Sequence, residues 1–297
     1  LNCHPNGYAT NIMNDLAPEI AAKRDRLIEL LSSYGSCAVA FSGGLDSTVL
    51  AKAAQLALGE RALAVTGLSA ALADRELNDA KSLARLIGIR HVLIETNELS
   101  LPQYQANNPD RCYHCKTELF TQLEQLTERL GVAVVADGSN RDDQGDHRPG
   151  LQAANERKVK SPLAECGLTK AEIRALAEHW QLPTWDKPAA PCLSSRIAYG
   201  ETVTPQRLAM IEQAEQFLIE RGFKPLRVRY HRGDMARIEV TLESLPRLTD
   251  PLLRQELVEY FKSLGFKYVS LDLEGFRSGS LNAVLPVESL QIARKTS

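Results

Sequence analysis

The sequence lacks any run approaching the ~18 uninterrupted apolar residues of a membrane span, and Leu1–Asn14 has neither the basic start nor the apolar stretch of a signal peptide. A membrane protein is not expected, and a cytoplasmic location is. Charge of one sign is also missing: 35 Lys and Arg against 37 Asp and Glu leave a formal charge of −2, which disfavours polyanionic partners such as nucleic acid. Internal repeats, low-complexity tracts and long charge blocks are absent. Cysteine is scarce. Six in 297 residues are too few for a disulfide framework, so in a reducing compartment they are either buried hydrophobes or chemistry. What is present, 44% apolar and 24% charged residues, describes a globular chain of one large or two modest domains that needs no staples to bury a core.

The polar, aperiodic segment 1–14 reads as upstream or appended sequence, disordered, with Met13 a plausible start. An apolar stripe at helical spacing follows over Leu16–Leu31, and then the period changes. Cys37–Phe41 is a short continuous apolar run, as in a buried parallel strand, and Thr48–Leu58 is helical. The alternation recurs: strand Ala62–Thr66, helix Asp74–Ile87, strand His91–Glu95, helix Lys116–Leu130, strand Val132–Ala136. A fifth unit pairs a short strand, Val159–Ser161, with helix Thr169–Trp180, whose start carries the capping box Thr169-Lys-Ala-Glu172. This is the pattern of a doubly wound α/β sheet over residues 15–200, whose ligands sit beyond the carboxyl ends of the strands. Residues 201–297 change to helix Pro205–Arg221, strands Leu226–Tyr230 and Met235–Thr241, helix Pro251–Leu264 and strand Tyr268–Asp272, a small α+β domain.

Ser42-Gly-Gly-Leu-Asp-Ser47 lies between the first strand and its helix, where backbone amides and a helix N-terminus converge on an anion. Gly43 and Gly44 let the backbone approach phosphate oxygens, Ser42 and Ser47 add hydroxyls, and Asp46 can hold Mg²⁺ against the phosphates. The GK[ST] ending of a Walker loop is missing, and no lysine is placed to reach a γ-phosphate. The hexapeptide resembles the pyrophosphate loop of the N-type ATP pyrophosphatases, which cleave ATP between the α and β phosphates to activate an oxygen as its adenylate. A polar loop at the end of the fourth strand, Asp137-Gly-Ser-Asn140 running on to Gly150, is a second place for ligand contacts.

Three cysteines fall in segments expected to be loops at the same rim: Cys112-Tyr-His-Cys115 before a helix, and Cys192 in Pro191-Cys-Leu-Ser-Ser-Arg196. Cys37 begins a buried strand, Cys166 flanks a short helix and Cys3 lies in the leading segment, so these read as inert. A CxxC at a helix start is open to three readings: a redox disulfide, a zinc site or an iron–sulfur cluster. A redox pair leaves Cys192 unexplained, and zinc wants a fourth ligand that His114 is awkwardly placed to provide. Three thiolates with one open position suit a 4Fe–4S cluster. Three unrelated cysteines remain the plain alternative.

Taken together, SGGLDS, CYHCK, DGSNRDD with GDHRPG, and APCLSSRIAYGE resemble the LarE family, the ATP-dependent sulfur transferases of nickel-pincer nucleotide biosynthesis, from about Asp15 onward. The resemblance implies thiolation of the two carboxylates of pyridinium-3,5-biscarboxylic acid mononucleotide. In one kind of member a cysteine aligned with Cys192 surrenders its sulfur; in the other, a CxxC and that cysteine hold a 4Fe–4S cluster that delivers an additional bound sulfide. With Cys112, Cys115 and Cys192 all present, this chain looks like the cluster type. The resemblance further implies ATP contacts from Ala40, Ser42, Gly43, Gly44, Asp46, Ser47 and Gly138, with Lys116 near the adenylate. It also implies a homo-oligomer, trimeric or hexameric; the sulfide donor is left unnamed.

The substrate's ribose phosphate needs cations. In Leu226-Arg-Val-Arg-Tyr230 the alternation puts Arg227 and Arg229 on one strand face, about 7 Å apart, suited to phosphate. By resemblance these join Ser195 and Arg196 in the mononucleotide phosphate site, with Glu215 near the pyridinium. The rival readings are a tRNA thiolase of the same superfamily, against which the acidic balance and the lack of a basic stripe count, and a non-catalytic adenine-nucleotide sensor.

Overall fold

A computed structural model describes residues 16–143, 149–188, 191–277 and 279–281; the expectations for residues 1–14 and for Cys3 lie outside them. The first lobe runs α1 (Pro18–Ser33), β1 (Cys37–Ala40), α2 (Leu45–Leu58), β2 (Ala62–Leu68), α3 (Asp74–Ile87), β3 (Arg90–Glu95), α4 (Pro102–Gln105), α5 (Arg111–Leu130), β4 (Val134–Ala136), α6 (Pro149–Glu156), α7 (Pro162–Glu165) and α8 (Lys170–His179). The second follows with α9 (Pro205–Glu220), β5 (Leu226–His231), β6 (Met235–Val240), α10 (Leu245–Leu248), α11 (Pro251–Ser263) and β7 (Tyr268–Leu271).

β1 is buried at every residue because both faces of its sheet are covered. Cys37 and Val39 point into a core shared with α1, α2, α3 and α8, while Ala38 and Ala40 point into a second core under α5 and α6. The all-parallel strand order is β3-β2-β1-β4. The chain therefore reverses its direction of travel between β1 and β4, and a crevice opens at their carboxyl ends, the place where doubly wound sheets bind ligands. Both Ser42–Ser47 and Asp137–Asn140 leave strands at that point.

Two elements differ from the sequence expectation. Val159–Ser161 does not form a strand: only Lys160 bridges, to Ala136, because Lys158 is in the left-handed region and Pro162 starts a helix, leaving one residue in register. The CxxC does not precede its helix but forms its opening turns, since α5 starts at Arg111 directly after Pro109-Asp110. Thiols three positions apart on a helix share a face, so the helical placement brings Cys112 and Cys115 together more firmly than a loop would. At α8 the capping box is present as expected, with Thr169 and Glu172 bonded reciprocally.

The second sheet has the order β5-β6-β7, antiparallel then parallel, under α9 and α11. Its core takes in Leu193, Ile197 and Val203 from the connecting segment, and Ala71, Ala73 and Tyr104 from the first lobe. The Cys192 segment is thus packed between the lobes. Among the described residues no helix is long and apolar enough to cross a membrane.

Candidate active site

The phosphate loop is built by its own backbone. Gly44 caps α2, whose first amides face the crevice, and the Ser42 and Ser47 hydroxyls lie 3.1 Å apart, with the Ser47 hydroxyl also accepting from the Ser42 amide. Two glycines are required here. Gly43 has φ +69°, and a Cβ on Gly138 would stand 2.9 Å from the Ser47 nitrogen, so the loops after β1 and β4 meet only because Gly138 has no side chain. Asp137 accepts from Ser139 and Ser161, which ties the second loop down.

Asp46 is engaged on both oxygens. Asn140 Nδ2 donates to one at 3.3 Å, and Lys170 Nζ makes a close ion pair with the other. Lys170 is a residue that sequence reasoning missed. The loop itself has no lysine, as expected, but α8 delivers one from 124 positions away. The sequence carries at most an indirect hint, a lysine at the positive end of a helix dipole, and nothing in it names the partner.

The three expected cysteine ligands and the phosphate loop face one cavity of about 540 Å³. Ala40, Ser42, Gly44, Asp46, Ser47 and Gly138 line it from the strand ends; Cys112, Cys115, Lys116 and Cys192 line it from the other side, with Glu98 beside them. Cys112 and Cys192 are exposed and Cys115 is partly buried, and all are free thiols. Burial pushes the Cys115 thiol up to about 12, with the neighbouring Cys192, Glu98 and Cys112 adding to the shift against Lys116. Among the described residues no group of three or more His, Cys, Asp and Glu side chains is arranged to hold a metal ion. Lys116 Nζ stands 5.4 Å from the centre of the Phe120 ring. Cys37 and Cys166 are buried away from this cavity.

A polar knot holds the Cys192 segment against the CxxC helix. Arg111, the residue before Cys112, is buried and donates to the Ser194 carbonyl at 2.8 Å and to Asn107 Oδ1. Asn107 Nδ2 in turn donates to the carbonyls of Ile197 and Ala198, and the Tyr104 hydroxyl meets Ser194 Oγ at 2.7 Å. Leu193 N donates to the Ala71 carbonyl. These bonds are what bring residues 80 positions apart in sequence to one wall.

Beyond Cys192, five arginines surround two enclosed glutamates. Arg196 donates through Nε to Glu215 at 3.0 Å and through Nη1 to the Cys192 carbonyl at 2.9 Å, so the same guanidinium reads the loop and the acid. Glu215 also takes Arg75 at 2.9 Å and the Val228 amide at 3.2 Å, and none of it is exposed. Burial works to raise the Glu215 carboxyl, but Arg196 and Arg75 outweigh it and hold it below the ordinary carboxylate range. Arg229 is paired with Glu239 and donates to the Ser195 carbonyl, and Arg237 takes the other Glu239 oxygen. The Ser195 hydroxyl donates to the Cys192 carbonyl at 2.7 Å. Arg227 is half-buried; burial and then the nearby Arg196 push its pKa down to about 10, Glu215 counteracting and Arg229 and Arg75 adding to the fall. An anion placed here would relieve that crowding.

The NAD synthase family profile matches residues 21–122. An uncharacterized protein of Synechocystis sp., slr1717, is 45% identical over 90% of this chain and 99% of its own length. The pyridinium-3,5-bisthiocarboxylic acid mononucleotide synthase of Lactiplantibacillus plantarum is 38% identical over 90% of this chain and 96% of its own length. Similarity to the tRNA-specific 2-thiouridylase MnmA of Rickettsia felis, 28% identical, spans only 54% of each chain.

Proposed function

Because this chain belongs to the family of the L. plantarum pyridinium-3,5-bisthiocarboxylic acid mononucleotide synthase, we propose that it is an ATP-dependent sulfur transferase acting on pyridinium-3,5-biscarboxylic acid mononucleotide. The observation that carries the reading is the single cavity shared by the phosphate loop and Cys112, Cys115 and Cys192. Oxygen is a poor leaving group from a carboxylate, so exchange for sulfur needs activation. The amides at the start of α2, with Ser42 and Ser47, hold the β- and γ-phosphates, and Lys170 turns from Asp46 to meet them; Asp46 would then hold Mg²⁺, which would supply further neutralising charge. A substrate carboxylate oxygen attacks the α-phosphorus in line, and pyrophosphate leaves. A sulfide equivalent then attacks the acyl carbon; the C–O bond breaks, AMP departs with its electron pair, and a thiocarboxylate remains. Two rounds give the bisthiocarboxylate.

Arg227 and Arg229, with Ser195 and Arg196, take the ribose phosphate, and Glu215 acts on the substrate through the arginines it orients. Lys116, which lines the same cavity, meets the negative charge of the adenylate in this reading. The donor set suits a 4Fe–4S cluster, because its thiolates sit on separate irons and need a common cavity, not one common point. Such a cluster on Cys112, Cys115 and Cys192 supplies, when bound, a vacant iron for an added sulfide. The reading includes a cytoplasmic homo-oligomer of trimeric or hexameric form.

The test is pyrophosphate and AMP release from ATP with the dicarboxylated nucleotide. Asp46→Ala is expected to lower it by at least about a thousandfold, and unchanged turnover sinks the adenylation model. Anaerobic reconstitution is expected to give about four irons per chain and a brown absorbance, both lost in Cys112→Ala, Cys115→Ala or Cys192→Ala. Variants that retain their iron refute the ligand assignment.

A further inference from the structure

One carboxylate of the cavity has no use in the reaction as described. Glu98 opens the short turn after β3, is only 2% exposed, and lines the cavity beside Cys115 and Cys192. Its Oε2 is buried without a hydrogen-bond partner, and no cation is paired with either oxygen among the described residues. The contrast with the other enclosed acids is sharp: Glu215 has two arginines and an amide, Glu239 has two arginines, and Asp137 has two hydroxyls. A carboxylate removed from water with nothing to meet it is unfavourable, and a native fold retains one where a ligand supplies the missing charge or donor.

The remaining polar groups at this end narrow the ligand. Lys116, a few residues along on α5, has the Phe120 ring as its contact and no carboxylate partner among the described residues. The cavity thus brings one carboxylate and one ammonium group to a wall whose other side chains at this end include no Asp, Arg or Lys: the three cysteines, Ser69 and Thr96, and the apolar Leu119, Leu151, Ala71 and Leu72. That combination is complementary to a flat ring that is itself cationic and bears anionic substituents. A pyridinium carboxylate is such a ring, and its charge is permanent because the nitrogen is bonded to the ribose.

We propose that Glu98 is a specificity-determining residue that recognises the positive charge of the substrate's pyridinium ring, with Lys116 facing the ring's carboxylates. The inference rests on the substrate reading above and deepens it. It makes Glu98 a selector between oxidised, cationic pyridinium nucleotides and neutral rings of the same shape, which the phosphate site alone cannot distinguish.

Calorimetric titration of the full-length protein, without sulfide and with a non-hydrolysable ATP analogue measured in parallel, tests it. The probes are nicotinic acid mononucleotide and its neutral 1,4-dihydro form, which share the phosphate, the ribose and the carboxylate. The wild-type chain is expected to bind the cationic ring at least about tenfold tighter. Glu98→Gln keeps the shape and the acceptor oxygen but not the charge, so it is expected to narrow the ratio to within about twofold while leaving nucleotide affinity unchanged. Its thermal midpoint is expected not to fall, since an uncompensated charge has been removed. A wild-type ratio in Glu98→Gln overturns the inference, as does an equal loss for both rings together with the ATP analogue, which would place the carboxylate against the adenine. A wild-type chain that binds neither ring overturns this inference together with the substrate reading. Normal binding of both rings without discrimination overturns this inference alone.

Discussion

The two ends of the cavity are built on opposite electrostatic plans. At the phosphate-loop end Ser42, Asp46, Ser47, Asp137 and Asn140 are all partnered within the protein, and even the acid suited to a metal is held by Lys170 and Asn140. At the cysteine end three thiols are free of disulfides, Lys116 rests on the Phe120 ring, and Glu98 Oε2 has no hydrogen-bond partner among the described residues. The first end is preorganised for an anion and exchanges one partner for another when it binds; the second is incomplete until something enters. Preorganisation needs no reorientation at the moment of reaction, which suits the phosphoryl step. An incomplete wall suits discrimination, because a wrong ring leaves its charges unmatched.

The largest expected effect tests what an uncompensated buried acid costs. Arg196→Met removes the Nε and Nη2 bonds to Glu215 and leaves that fully enclosed carboxylate with Arg75 and one amide. A loss of about 3 kcal/mol in urea unfolding is expected, along with loosening of the Cys192 carbonyl that the same guanidinium holds. Arg227→Met is the control: it is expected to raise the apparent KM for the mononucleotide about tenfold with stability little changed. Equal destabilisation by both variants would mean that the arginine cluster is a structural unit and not a binding site.

A smaller effect probes the partnered end. Lys170→Met frees Asp46 of its cation. If Lys170 turns to the phosphates when ATP binds, the variant raises KM for ATP by about tenfold with kcat little changed, one charge-assisted contact being lost equally in the ground and transition states. If Lys170 only screens Asp46, the affinity for Mg²⁺ rises instead and KM for ATP is unchanged. Initial rates across a Mg²⁺ titration separate the two outcomes.

Much of this architecture was legible in the sequence, because the signals were local. The apolar run at Cys37 and the helical stripe of α3, whose bounds Asp74–Ile87 are as expected, report burial directly. The phosphate loop and the capping box are turn chemistry confined to six and four residues. The misplaced CxxC shows the limit of that method: with no breaker between Asp110 and Lys116 the helix simply began earlier, and a motif read as a loop feature became a helical face. Lys170 and Glu98 were out of reach for a different reason. One is defined by a partner 124 positions away and the other by having none, and neither condition leaves a trace in neighbouring residues.

The smallest expected effect concerns the floor beneath the phosphate loop. Thr66 Oγ1 donates to the Phe41 carbonyl at 2.6 Å, just before the loop begins, so its oxygen is left to accept from His91 Nε2 at 2.8 Å. That fixes the neutral ring with its proton on Nε2. Burial first, and then the positive charge of Lys81, lower the His91 pKa from its ordinary value. A histidine depressed in the folded state takes up its proton earlier in the unfolded chain. Its stabilising contribution is therefore intact above the ordinary value near ~6.5 and declines as pH falls below that toward the folded value. Urea unfolding of the wild-type chain between pH 7.5 and 5.5 is expected to show this as a shallow loss, with a slope of less than one proton per molecule, and His91→Gln is expected to flatten it. Retention of the full slope in His91→Gln would assign the acid sensitivity to the partly buried His231, whose pKa is lowered by burial and by Arg237 and Arg229 in the second lobe. The phosphate-loop floor would then be as indifferent to mild acid as its complete hydrogen bonding implies.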